Sequence, residues 1–209
     1  MGVGDLNRVI DGEMTTGVSV AVPVPKHIVT DLQTVPTREY YDAYYALNAQ
    51  MDEVVEYGAE FLRKYEFHAY ANTTQVAKKD GNWCTALPHK TVATRAGLGW
   101  IGKSCLLVTE RYGSAVRLSS LQTDAPLPAD RPINESRCGG CSVCVQECPA
   151  SALLGTLWHV GTGREEILQK EKCKETQTLR MKQATGIETD LCGLCFAVCP
   201  YTQKYLRKG

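Results

Sequence analysis

From Arg38 onward, Tyr44, Leu47, Met51, Val54, Val55, Gly58 and Leu62 recur at three- and four-residue steps. That spacing predicts an amphipathic helix of about six turns with one apolar stripe turned to a core. Tyrosines 40, 41, 44, 45 and 57 lie on the same segment, and rings packed against a sheet account for most of them. Upstream, Gly17–Val24 alternates valine with small or polar residues. A strand is predicted there, with Pro23 and Pro25 confining its end to an edge because proline has no N–H for the ladder.

Downstream the period changes. A second helix is predicted over Lys90–Ala96, ending at Gly97, where freedom to take positive φ suits a helix terminus. Ser104–Thr109 and Ser114–Leu121 are apolar-rich runs separated by Glu110-Arg111-Tyr112-Gly113, which predicts a hairpin. After Thr123, the residues Asp124, Pro126, Pro128, Asp130 and Pro132 read as a stiff, unpaired connection. The expected organisation is therefore α+β, with residues 1–128 as one domain and residues 129–209 as a smaller second one. Arg164–Lys182 is expected to form a solvated helix, since its charges alternate in sign.

The 209 residues are 44% hydrophobic, enough to bury a core of ordinary size. Lys+Arg and Asp+Glu number 23 each, so no basic surface announces a nucleic-acid partner. No apolar run approaches the length of a membrane span, and Met1–Arg8 lacks the basic-then-apolar order of a secretory leader. A cytoplasmic protein with reduced thiols is expected.

Cysteine carries the chemistry. Eight of the ten lie beyond residue 137, and seven of these form two runs, Cys138-x2-Cys141-x2-Cys144-x3-Cys148-Pro149 and Cys192-x2-Cys195-x3-Cys199-Pro200. A tight loop of this kind wraps three corners of a [4Fe-4S] cube and sends its last cysteine to the neighbouring cube. By that rule Cys138, Cys141 and Cys144 take Cys199, while Cys192 and Cys195 take Cys148. The second set then needs one more thiolate, from Cys173, Cys84 or Cys105, of which Cys173 is nearest in sequence. Pro149 and Pro200 end the ligand loops by fixing φ and removing a donor. Zinc knuckles use separated C-x2-C pairs instead, and cysteines three apart make strained disulfides. Cys84 and Cys105 are otherwise expected to be ordinary buried thiols.

Between helix and hairpin, Ala96-Gly97-Leu98-Gly99-Trp100-Ile101-Gly102-Lys103 alternates glycine with large apolar residues. A backbone bare at 97, 99 and 102 lets a large flat ligand approach, with His89 or Lys103 at its polar edge. The segment follows a helix, so it is not the dinucleotide fingerprint. A glycine-rich turn burying Trp100 explains the same residues without a ligand.

The order of parts adds to this. A-G-L-G-W-I-G-K, T-D-A-P-L-P, C-G-G-C-S-V-C-V-Q-E-C-P and C-G-L-C-F-A-V-C-P, spread from about Leu87 to Tyr201, resemble the epoxyqueuosine reductase family in a short form. The resemblance implies a nitroreductase-like α/β sandwich followed by a bacterial-ferredoxin-like two-cluster domain. It further implies electrons passing through two [4Fe-4S] clusters to a bound cobalamin. Ala96, Gly97, Leu98, Gly99, Trp100, Gly102 and Lys103 would line the corrin, with His89 and Lys90 beside them, and Cys173 is favoured as the eighth cluster ligand.

Two departures shape the expectation. Where the family carries a proton-donating Asp, this sequence reads Asn72-Thr73-Thr74, and an amide cannot supply that proton. His89 is a candidate for proton delivery, or equally an anchor for a cofactor carboxamide or a backbone carbonyl. The sequence ends at Gly209 without the family's helical repeats, so transfer RNA is not expected as a partner and a small-molecule substrate is. A low-potential ferredoxin or flavodoxin is the expected donor. The rival readings are a ferredoxin-like electron carrier without corrinoid, docking to a partner oxidoreductase, and a flavin site on the same scaffold.

Overall fold

The computed structural model describes residues 1–76 and 85–208. It contains six strands, seven α-helices and one 3-10 turn among those residues, a mixed α/β protein. The chain forms two compact units, interleaved in sequence and not divided by a single cut near residue 128. The first comprises Met1–Val22, Tyr45–Gly99 and Arg117–Asn134, the second Pro23–Tyr44, Trp100–Val116 and Glu135–Gly209.

The first unit is built on a four-stranded sheet. Strands β1 (Gly2–Asp5), β2 (Thr16–Pro23), β3 (Ala69–Asn72) and β6 (Val116–Thr123) stand in the order β1-β2-β6-β3. β1 pairs antiparallel with β2 (Gly2 opposite Ser19), and β3 pairs antiparallel with β6 (Ala69 opposite Thr123). β2 is thus an inner strand, and Pro23 is tolerated as its last residue, where the missing N–H interrupts nothing further along. Helix α2 (Arg38–Lys64) follows the predicted period. Val55 and Ala59 of its apolar stripe bury against Val18, Ala69 and Leu121 of the sheet. Val54, Tyr45 and Tyr57 instead face solvent.

Helix α3 (His89–Arg95) ends as predicted, with Gly97 at φ 67°. It lies close against β1. A Cβ on Gly2 would stand 2.5 Å from the Ala96 carbonyl, and one on Gly4 2.8 Å from Arg95 Cβ. β1 is written in glycines for this reason, and so gives no hydrophobic signal of its own. The proline-rich connection is not unpaired: Val3 N donates to Asp130 Oδ2 and Asp130 N to the Val3 carbonyl, both at 2.8 Å, and Ile133 N donates to Thr94 O at 2.9 Å. These bonds stitch it to β1 and α3, inside the first unit.

The second unit holds α1 (Lys26–Asp31), β4 (Trp100–Ile101), β5 (Leu107–Val108), α4 (Val143–Gln146), α5 (Lys170–Thr185), α6 (Leu194–Ala197) and α7 (Pro200–Arg207). Here the structure departs from the expected hairpin. β5 pairs with β4, not with the run beginning at Ser114, which becomes β6 of the sheet in the other unit. The cause is a sharp reversal at Gly102–Leu106: Cys105 N donates to Gly102 O, Gly102 N to Leu106 O, and Cys105 adopts φ 61°. Trp100 is completely buried, edge-on to Tyr201 with ring centroids 5.0 Å apart. Ile101, Cys105 and Ile167 form a second buried group with Trp158 and Leu168 against it. The solvated helix appears as α5, of which only Met181 is buried. No helix among the described residues is long and apolar enough to cross a membrane.

Candidate iron-sulfur centre

Both cysteine runs fold alike. Each places a single helical turn, α4 or α6, at its next-to-last cysteine, with Cys144 on α4 and Cys195 on α6, and the two turns pack together. Gly139 (φ 51°) and Gly193 (φ 81°) take the left-handed conformation directly after Cys138 and Cys192. That conformation turns the chain between successive cysteines at little cost for glycine. Cys199 caps α7, and Pro200 occupies its first turn, where a missing N–H is harmless.

The thiols gather as two quartets. Burial, then the neighbouring Cys138, Cys199 and Cys141, push the Cys144 thiol up to about 11. Burial also raises Cys199, with Cys138 and Cys141 as sulfur neighbours, while backbone N–H groups of Thr202 and Tyr201 pull it back. In the other quartet burial lifts Cys195 well above the usual thiol range, and the neighbouring Cys192, Cys173, Cys144 and Cys148 raise it further. Cys173 is raised by burial, eased by a hydrogen bond from Gln177 Nε2 at 2.8 Å, and faces Cys148, Cys192 and Cys105. The last cysteine of each run, Cys199 and Cys148, is thus a neighbour of thiols in the other run or beyond it: Cys199 of Cys138 and Cys141, Cys148 of Cys195. The quartets are not single-ion cages: among the described residues no three His, Cys, Asp or Glu side chains converge as the ligands of one metal ion. Cys84 lies outside the described residues, and Cys105 is buried beside Ile101 and Ile167.

Burial first, and the neighbouring sulfurs second, disfavour the thiolate at Cys144, Cys173, Cys195 and Cys199. A polynuclear cluster removes that conflict by taking the sulfurs as anionic ligands and releasing their protons. The donor sets therefore fit two [4Fe-4S] clusters.

The residues of the glycine segment divide between the units. In the first, His89, Lys90, Gly97 and Leu98 are partly exposed, whereas Ala96 and Gly99 are buried. In the second, Trp100, Gly102 and Lys103 are all buried. Lys103 Nζ donates to the Gly139 carbonyl at 2.9 Å. A Cβ on Gly102 would stand 2.7 Å from Val108 Cγ2 and 3.5 Å from Cys138 Sγ, so this glycine makes room beside the first quartet. On Gly97 it would strike the Arg131 carbonyl at 2.7 Å.

Spacing alone did not reveal the polar surroundings of His89. Its Nδ1 meets Ser120 Oγ at 2.9 Å, and burial, then the Arg117 charge, lower its pKa against the opposing pull of Asp52. Arg117 is fixed by Asn48 Oδ1, through Nη2 at 2.9 Å and Nε at 3.1 Å. Asp52 accepts from Thr74 N at 3.0 Å and from Thr74 Oγ1 at 2.5 Å, which brings a carboxylate from α2 to the Asn72-Thr73-Thr74 segment. Gln177 was missed as well, although its place four residues after Cys173, one turn on along the same helix face, carried the signal.

The chain is an iron-sulfur protein: residues 137–202 match the family described as the 4Fe-4S double cluster binding domain. Its wider similarity is to the epoxyqueuosine reductases. It is 46% identical over 146 residues to the epoxyqueuosine reductase of Bacillus cereus, an alignment covering 66% of this chain and 36% of that protein. The chain thus spans about a third of the length of that relative. A crystal structure of epoxyqueuosine reductase with a tRNA-Tyr epoxyqueuosine-modified tRNA stem loop superposes with a TM-score of 0.58 at 22% identity, covering 91% of this chain and 49% of the other. A catabolic reductive dehalogenase, in a K488Q variant, gives a TM-score of 0.75 at 18% identity, covering 96% and 29%. The resemblance read from the motifs is therefore shown. The expectation that set transfer RNA aside is overturned: the relatives carry the name epoxyqueuosine reductase, and a structure of that name is solved with an epoxyqueuosine-modified tRNA stem loop. The absence of helical repeats in this sequence was insufficient ground for excluding that partner.

Proposed function

We propose that this protein is a cytoplasmic reductase of the epoxyqueuosine type, in which two [4Fe-4S] clusters and a cobalamin serve reduction of a modified nucleoside in transfer RNA. The observation that carries the reading is the crossed pair of quartets, Cys138, Cys141, Cys144 and Cys199 beside Cys148, Cys173, Cys192 and Cys195, assigned here as the cluster ligands. Within the second unit, Glu135–Gly209 acts as the ferredoxin-like cluster domain, and the sheet with α3 in the first unit is read as a nitroreductase-like corrinoid domain.

When bound, the clusters relay single electrons from a low-potential ferredoxin or flavodoxin, and the corrinoid supplies a strongly reducing centre. The chain's own residues do the rest. His89, Lys90, Gly97 and Leu98 offer the partly exposed surface of the glycine segment to the cofactor. Ala96, Gly99, Trp100, Gly102 and Lys103 are buried and hold that segment's backbone in place. His89 is kept neutral at pH 7 by burial and by Arg117. With Nδ1 engaged by Ser120, its Nε2 is the remaining ring atom able to move a proton.

The test is anaerobic reconstitution with iron and sulfide, titration with cobalamin, and gel filtration. The expected material retains a corrinoid spectrum and, with a reductant, removes one oxygen from the modified nucleoside of a transfer-RNA stem loop, read by mass spectrometry. Clusters without retained corrinoid would overturn the enzyme reading in favour of an electron carrier.

A further inference from the structure

Lys103 is a cationic side chain with only 9% of its surface exposed, and burying a charge is costly unless something compensates it. Its ammonium donates to the carbonyl of Gly139, the residue after Cys138. The preceding residue, Gly102, is bare beside the same sulfur, with its would-be Cβ 3.5 Å from Cys138 Sγ. Among the described residues no carboxylate forms an ion pair with Lys103. The other cation nearby, Arg137, is different: its Nη1 is paired with Glu110 Oε1 at 2.5 Å and it is half exposed. One positive charge, with no carboxylate paired to it among the described residues, is thus fixed at the loop of one quartet.

We propose that Lys103 sets the reduction potential of the cluster held by Cys138, Cys141, Cys144 and Cys199, raising it relative to its neighbour. The inference rests on the cluster assignment above. Each cluster gains one negative charge on reduction, and a nearby cation stabilises the reduced form more than the oxidised one. The low local dielectric strengthens the effect, and salt screens it little. The lysine is a positioning and tuning residue: it makes electron flow toward this cluster downhill, and its Nζ contact also pins the Cys138–Cys141 loop.

The experiment uses the full reconstituted chain, with potentials followed by electron paramagnetic resonance during a redox titration. The cluster concerned is identified as the one that persists in a Cys173→Ala background. Lys103→Gln is expected to keep eight irons and to shift only that cluster by about tenfold in its oxidised-to-reduced ratio at fixed potential, a fall of ~59 mV for a one-electron couple. Lys103→Arg keeps the charge and the unaltered potential. Unchanged potentials in Lys103→Gln, equal shifts of both clusters, or loss of four irons rescued by arginine would each overturn the proposal. If Lys103→Gln does not fold, a lowered potential in Lys103→Arg overturns it and an unchanged one supports it. Failure of the unaltered protein to bind eight irons would instead remove the cluster assignment itself, a separate result.

Discussion

Gly102 connects packing to cluster binding most directly, because an added side chain there has nowhere neutral to go. The Cβ of Gly102→Ala would lie 2.7 Å from Val108 Cγ2, 3.4 Å from Ser104 Oγ and 3.5 Å from Cys138 Sγ. Val108 is 2% exposed and Ser104 7%, so neither can swing into solvent. Forcing a methyl group into such a site costs about 1–3 kcal/mol. Restricting the unfolded chain returns about 0.4–1 kcal/mol. The net loss for alanine is therefore about 1–2 kcal/mol, with eight irons retained, because the nearest atom is the tip of a side chain and the sulfur contact is ordinary. Gly102→Val brings two more carbons toward Cys138 and should displace that thiol, reducing iron from eight to four per chain. Anaerobic denaturant unfolding gives the first quantity, and iron analysis after reconstitution gives the second. Valine at 102 with eight irons and unchanged stability would refute the packing argument.

Cys173→Ala should halve the cluster content, whereas Cys105→Ala should leave it intact; equal losses in both would mean that the eighth ligand is misassigned. In cluster-free protein, the raised thiols of Cys144 and Cys195 should be alkylated slowly at pH 8 and the exposed Cys141 first, as mapped by mass spectrometry; uniform labelling would contradict the burial described. His89 should titrate below 6.5 and His68, raised by its hydrogen bond to Asp124, above it. Between the folded pKa of His89 and 6.5 the unfolded chain binds more protons, so this residue makes stability rise with pH, and His89→Gln should flatten that slope. Ring-proton NMR showing the reverse order would refute the burial of His89.

The sequence was most legible where chemistry constrains spacing. The two cysteine runs and Pro200 announce ligand loops because sulfurs wrapping one small cube are spaced with two residues between them, whatever surrounds them. Helix α2 was equally plain from its period, since Met51 and Val55 of the predicted stripe are buried, Val55 against the sheet. Pairing was not legible. The run Ser104–Thr109 reads as a strand, but Cys105 at φ 61° reverses it, and no β-branched pattern marks a left-handed cysteine. β1 was hidden by Gly2 and Gly4, whose smallness serves α3 and not the strand. The polar group around His89 draws on residues 48, 52, 74, 117 and 120, which only the strand order and the placement of α2 bring together. Lys103 read as a ligand for the cofactor's edge, since exposure cannot be judged from the motif; its carbonyl partner is 36 residues away.

Iron and acid-labile sulfide per chain, measured on protein reconstituted without oxygen and paired with Mössbauer spectra, test the crossed quartets most directly. The account predicts eight of each, all in [4Fe-4S] form. Bound zinc, or four irons in a single cluster, would contradict it.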